Sequence, residues 1–281
     1  MDCPPQGPHA EPPGPASWEA GGRAIDAFCT RVLAAGFAPT LFVTPEAAAQ
    51  HAPLCDDFAG RGADVGLLIQ PPTLRGAGYH HYLGAYPPDQ QREIVREAMR
   101  RLEAALGWRS RSARSAMYSA SDETFAVLNE AGFRQTSLSS PGRQTPKFNA
   151  VWAGAATETH FASAANRLAA GSLSLLEVPV TTDATQRRGG IAPDLAIESG
   201  TVERWHAPLV EGQLARQEAE GAAFRTLCFV TTSRYGYHEP STRFRQTLDG
   251  LLDYLRALDE RYDVVPVTLA EAYAHYRQER E

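Results

Sequence analysis

Short runs of wholly apolar residues set off by one-sided helical stretches constrain this chain more than any single motif. Residues 39–44 (PTLFVT), 64–69 (DVGLLI), 173–180 (LSLLEVPV) and 226–231 (TLCFVT) are too short for buried helices and lack polar alternation, so they read as strands covered on both faces. Between them the apolar residues fall on one stripe. Ser17 caps a first helix in which Ile25, Phe28, Val32 and Leu33 recur up to Gly36. A helix over 45–59 follows, then one over 88–106 with Ile94, Ala98, Leu102 and Leu106 on one side. Ser121 or Asp122 caps a short helix over 124–131, which Gly132 ends. The second half predicts helices over 202–220, 241–261 and 269–277, with a closing strand at 263–267 (DVVPV). Buried strands alternating with such helices predict an α/β fold on a largely parallel sheet, whose chemistry lies on loops beyond the strands' C-terminal ends.

The 281 residues are 43% hydrophobic, enough for one sizeable core. Residues 1–17 are rich in Pro and Gly and read as an irregular segment ahead of a single domain spanning 18–281. A net charge of -6 argues against a nucleic-acid-binding surface, and Arg109 and Arg111 read as a solvated loop. The four cysteines form neither a CxxC pair nor a zinc-type cluster. No apolar stretch has the length of a membrane span, and the N-terminus carries no secretory pattern, so the expected location is cytoplasmic. The glycines of the 70–87 loop spell no phosphate loop, and no GxSxG elbow is present.

Five phrases, in order, resemble the polysaccharide-deacetylase-like (NodB-homology) family. They are residues 34–43 (AAGFAPTLFV), 62–66 (GADVG), 111–124, 176–180 (LEVPV) and 264–273 (VVPVTLAEAY). The resemblance spans roughly residues 20–275. It implies a distorted (β/α) barrel of about seven strands and a hydrolase acting on an amide or other C–N bond of a carbohydrate or small molecule. The family uses a base Asp, a second Asp and two His around a divalent metal, an Arg, and a late His.

The family's ligand histidines fall here on Leu68 and Pro72, or on Leu68 and Gln70, so the resemblance implies no metal site of the usual kind. The late His position is occupied by Ser233, which cannot donate protons as an imidazole does near neutral pH. Asp2 stands about where the family's first strand delivers its carboxylate. Either that strand begins upstream of Met1 or the barrel lacks a stave. Arg114 holds the position of the family's arginine, with roles in recognition and in a surface salt bridge both open. Glu177 matches too, and reads as a strand residue paired with a nearby base.

The expected catalytic residues are therefore Asp2 and Arg114, with Leu68, Gln70, His80, His81, Tyr118, Ser233 and His238 lining the pocket. No cofactor is expected, unless His80 and His81 on the aromatic loop rebuild a metal site. Two functions stay open: a deacetylase-type hydrolase without the usual metal, and a catalytically inactive barrel that binds a sugar or small acid, with Tyr79, Tyr82 and Tyr86 stacking on a ring.

Overall fold

The chain winds helices around a curled, mostly parallel sheet in the computed structural model, which describes residues 1–7, 13–74, 76–187 and 191–279. The strands are β1 (Asp2–Cys3), β2 (Thr40–Val43), β3 (Asp64–Ile69), β4 (Ser112–Ser115), β5 (Gln135–Thr136), β6 (Gln144–Thr145), β7 (Ala150–Val151), β8 (His160–Phe161) and β9 (Leu176–Glu177). Seven of them form one sheet in the order β1-β2-β3-β4-β5-β9-β8, parallel except for β8, while β6 and β7 make a separate hairpin. The regular ladder does not close. Single bridges from Asp2 to Thr232, Val230 to Ala196 and Asp194 to Thr182 span the remaining side.

The helices are α1 (Trp18–Ala34), α2 (Pro45–Gly60), α3 (Pro88–Leu106), α4 (Thr124–Glu130), α5 (Ala207–Ala219), α6 (Arg243–Asp259) and α7 (Leu269–Gln278). Ser17 caps α1 by accepting from the Ala20 amide, as its position predicts. A second core fills the inside of the sheet. There Phe42, Leu68, Leu176 and Val178 meet Leu269, Ala272 and Tyr276 of α7. The main core lies outside the sheet, where Leu41, Val43, Leu67 and Ile69 pack under α1 to α3. Among the described residues no helix is long and apolar enough to cross a membrane.

Several expectations change. Asp2–Cys3 pairs with β2 and so supplies the first strand, because the N–H groups ahead of Pro4 are free to join a ladder. Residues 173–180 form a ladder only at Leu176–Glu177. The 226–231 run makes no strand: Thr226 to Phe229 are half-buried, and the core expected there narrows to Val230 and Thr231. Residues 263–267 are likewise unpaired, with Val265 59% exposed. The 202–220 helix splits into a π turn, Val202–His206, and α5. The N-cap of α4 is Glu123, without a side-chain cap bond, while the Ser121 amide donates to Thr124 Oγ1. The irregular 70–87 loop holds two 3-10 turns, Pro71–Thr73 and Leu83–Ala85.

Candidate functional site

The ladder register brings the site together. Asp2 pairs with Phe42, Phe42 with Gly66, and two residues further along β3, Leu68 pairs with Arg114. Paired residues point to the same face, so Asp2, Phe42 and Arg114 all face the inside of the sheet. Gly66 makes room for this. A Cβ there would stand 2.8 Å from the Phe42 ring and 2.9 Å from the Ser112 carbonyl. Phe42 lies beneath Arg114, whose guanidinium carbon is 4.7 Å from the ring centroid.

Arg114 is 3% exposed, so it is no surface salt bridge. Its Nη1 donates to Asp2 Oδ1 at 3.0 Å. Its Nε and Nη2 donate to the Ser137 carbonyl and hydroxyl, each at 2.6 Å. Burial is the largest single influence and opposes the guanidinium's charge, but Asp2, Tyr118 and Cys228 around it together outweigh that, and its pKa ends above the ordinary value. The Asp2 side chain keeps 23% exposure, enough to meet a ligand.

Glu177, read from sequence as a partner for a base, does something else. Fully buried, it accepts from Thr136 Oγ1 at 2.6 Å and from the Leu138 and Ser139 amides at 2.8 and 2.7 Å. Those bonds fix the loop after β5 that presents Ser137 to Arg114. Glu177 thus holds the site at one remove.

After Arg114 the chain turns through Met117 and Tyr118, with φ of +58° and +59°. Left-handed backbone at two non-glycine residues costs on the order of 1 kcal/mol each, and such strain concentrates at functional sites. The turn is clasped by Trp152, whose indole Nε1 donates to the Tyr118 carbonyl at 2.8 Å. The Tyr118 ring lies between two cations, 5.8 Å from Arg114 and 4.5 Å from Arg143. Burial pushes its phenol well above the ordinary value, so it stays a neutral hydrogen-bond donor. Arg143 pairs with Asp194 at 3.4 Å, and the Trp205 indole donates to the Asp194 carbonyl at 2.7 Å. Nearby, burial and the charges of Asp194 and Asp2 push the Glu198 carboxyl up to about 7, and its Oε2 has no hydrogen-bond partner among the described residues.

The other sequence candidates fall as follows. Leu68 belongs to the apolar cluster inside the sheet, and Gln70 is 1% exposed, its carbonyl accepting from Thr73 Oγ1. Ser233 is buried, its amide donating to the Asp2 carbonyl. His80 and His81 are exposed, their amides bonded to the Tyr86 hydroxyl at 3.0 and 2.9 Å. His238 is half-buried beside Glu239. The structure joins Asp2, Arg114 and Tyr118 by direct contacts and records none from His80, His81 or His238 to that trio. Sequence reasoning missed Ser137, Arg143, Asp194 and Glu198, because a serine-rich loop and isolated charges carry no local signal.

A divalent ion of the kind the resembled family uses does not suit these residues. Leu68 and Pro72 offer no donor, and among the described residues no group of three or more His, Cys, Asp or Glu is arranged to hold a metal.

A cavity of about 650 Å³ opens elsewhere, at the start of β2 and beside residues 224–229. Pro39, Phe229, Leu251 and Val267 line it, and Phe42, Arg114 and Ser137 touch it from the site. Its apolar walls make it a poor place for hydrolysis.

No family profile matches this sequence, and no curated protein does. Solved structures do. Two proteins assigned as polysaccharide deacetylases match: one from Mycobacterium smegmatis (18% identity, 94% of this chain and 80% of that one, TM-score 0.57) and one from Pseudomonas aeruginosa PAO1 (16%, 93% and 75%, 0.57). PuuE allantoinase also matches, at 16% identity over 92% of this chain and 74% of its own, with a TM-score of 0.60. With TM-scores of 0.57 to 0.60 over more than nine-tenths of this chain, the fold is that of the polysaccharide-deacetylase-like, NodB-homology barrels.

Proposed function

We propose that the chain is a hydrolase of amide or related C–N bonds in a carbohydrate or small molecule, working through Asp2 without the usual metal. One observation carries this: a partly exposed carboxylate held at 3.0 Å by a buried guanidinium bonded through all three of its nitrogens, at the end of strands where such folds do chemistry. The fold neighbours, assigned as polysaccharide deacetylases and an allantoinase, support this substrate class. In this reading the Asp2 carboxylate takes a proton from water as its oxygen attacks the carbonyl carbon. The neutral Tyr118 phenol donates a hydrogen bond to the oxyanion. Asp2 then returns the proton to nitrogen as the C–N bond breaks and its electron pair leaves with the amine. Arg114 orients Asp2 and touches no substrate.

The test is turnover of N-acetylated amino sugars and cyclic amides by the purified protein, with and without chelator, alongside metal analysis. Hydrolysis that survives chelation and falls more than about 100-fold in Asp2→Asn supports the reading. One bound ion per chain that disappears in His80→Ala or His81→Ala would replace it with a relocated metal site. No turnover of any amide would favour the inactive, ligand-binding barrel.

A further inference from the structure

We infer that Arg143 sets the specificity of this site, selecting substrates that carry a carboxylate beside the amide to be cleaved. The amide half of that statement rests on the hydrolase reading above. The carboxylate half rests on how differently the two arginines flanking Tyr118 are used.

Arg114 spends Nε, Nη1 and Nη2 on three bonds of 2.6 to 3.0 Å. Little of it remains for a ligand. The Arg143 side chain makes only two hydrogen bonds among the described residues, Nε to Ser140 Oγ at 3.3 Å and Nη2 to Asp194 Oδ2 at 3.4 Å. Charge-assisted bonds of full strength run at about 2.7–2.9 Å. Both contacts of Arg143 are therefore weak, and most of its five N–H groups are unspent. Yet the group is not floppy. Its side chain is 13% exposed, and its flat face rests on the Tyr118 ring at 4.5 Å. A guanidinium fixed by stacking, with its donor edge underused, is built to receive a planar anion through two parallel bonds.

Its position fits that role. Arg143 follows the same loop after β5 that presents Ser137 to Arg114, so one short segment carries both the support of the Asp2–Arg114 pair and the second cation. Gly142 makes the turn with φ of +81°, and its Cα lies against Ala184 and Ala192, where a Cβ would be crowded at 3.1 Å. Asp194 does not forestall a ligand. Its Oδ1 already accepts from the Ala196 amide and from Ser199, and its link to Arg143 is the longest of the ion pairs at the site.

The experiment is titration of a hexuronic acid against its neutral hexose, followed by intrinsic fluorescence, in the wild type, Arg143→Gln and Arg143→Lys. The wild type should bind the acid at least about tenfold more tightly than the hexose, since one bidentate charged contact is worth about 1.5–3 kcal/mol. Arg143→Gln should erase the preference, and Arg143→Lys should keep part of it, because a lysine supplies the charge without the fork. Thermal melting of both variants checks that they fold. If the wild type shows no preference for the acid, or Arg143→Gln keeps it, the inference is overturned whatever the turnover assays show. A preference that depends on Arg143, found in a protein that cleaves no amide, would sustain the carboxylate site and remove the hydrolase reading alone.

Discussion

The two ends of the sheet's interior are built on opposite terms. At the C-terminal ends, Asp2, Arg114, Ser137 and Tyr118 are tied by short bonds and ring contacts, and the buried Glu177 pins the supporting loop. At the starts of the strands, residues 226–229 have no ladder partner on the side of β2, and apolar side chains face a cavity of about 650 Å³. One end is over-determined by directional bonds, and the other leaves apolar surface unfilled. Close packing is the rule inside proteins, so the contrast marks where order is enforced and where it is relaxed.

Breaking the ordered end should have the largest effect. Arg114→Met leaves Asp2 and the Ser137 acceptors without their cation, and should cost about 3 kcal/mol of stability as well as all activity. Asp2→Asn keeps an acceptor for Arg114 and should cost less than about 1.5 kcal/mol, while abolishing turnover just as fully. Chemical denaturation of the two variants beside activity measurements checks this. Equal stability losses would mean that the pair is structural at both ends.

A pH experiment sharpens the same boundary. The Glu198 carboxyl is raised to about 7 from an ordinary value near 4.5, chiefly by burial, so the folded state prefers it protonated. Its penalty is absent below about pH 4.5, grows as pH rises through that window, and is complete above about 7. Glu198→Gln should therefore stabilise the protein at pH 8, by up to about 3 kcal/mol, and make no difference at pH 4. Melting curves across that range decide it, and a gain that is constant with pH would place the benefit elsewhere.

A smaller difference should separate two places within the main core. Leu67 is fully buried between sheet and helices, whereas Leu251 lines the cavity. Truncating a leucine costs more where every neighbour is in contact and less where space is already open. Leu67→Ala should cost about 4 kcal/mol and Leu251→Ala about 2, measured by urea unfolding. Equal losses would show that the cavity is filled in solution.

The same contrast explains what was legible in the sequence. The strand at residues 64–69 and the helix at 88–106 were readable to the residue, because their apolar pattern and their partners agree. Residues 226–231 and 263–267 carry the same apolar signal but form no ladder. An apolar run reports burial and cannot report whether a neighbouring backbone is there to pair with. Asp2 and Arg114 were visible only through a resemblance, since 112 positions separate them. Arg143 and Asp194 stood in no phrase at all: what joins them is the packing of two loops around Tyr118.

The two indoles that clasp this region give the protein built-in optical probes. Trp152 donates to the carbonyl of Tyr118 and Trp205 to that of Asp194, so the two walls flanking Arg143 each hold a fluorophore by its polar edge. A bound anion that drew Arg143 away from Asp194 would change the field across both rings. Emission from a chain with only four tryptophans would then record occupancy without a label, and Trp152→Phe or Trp205→Phe would reveal which wall moves.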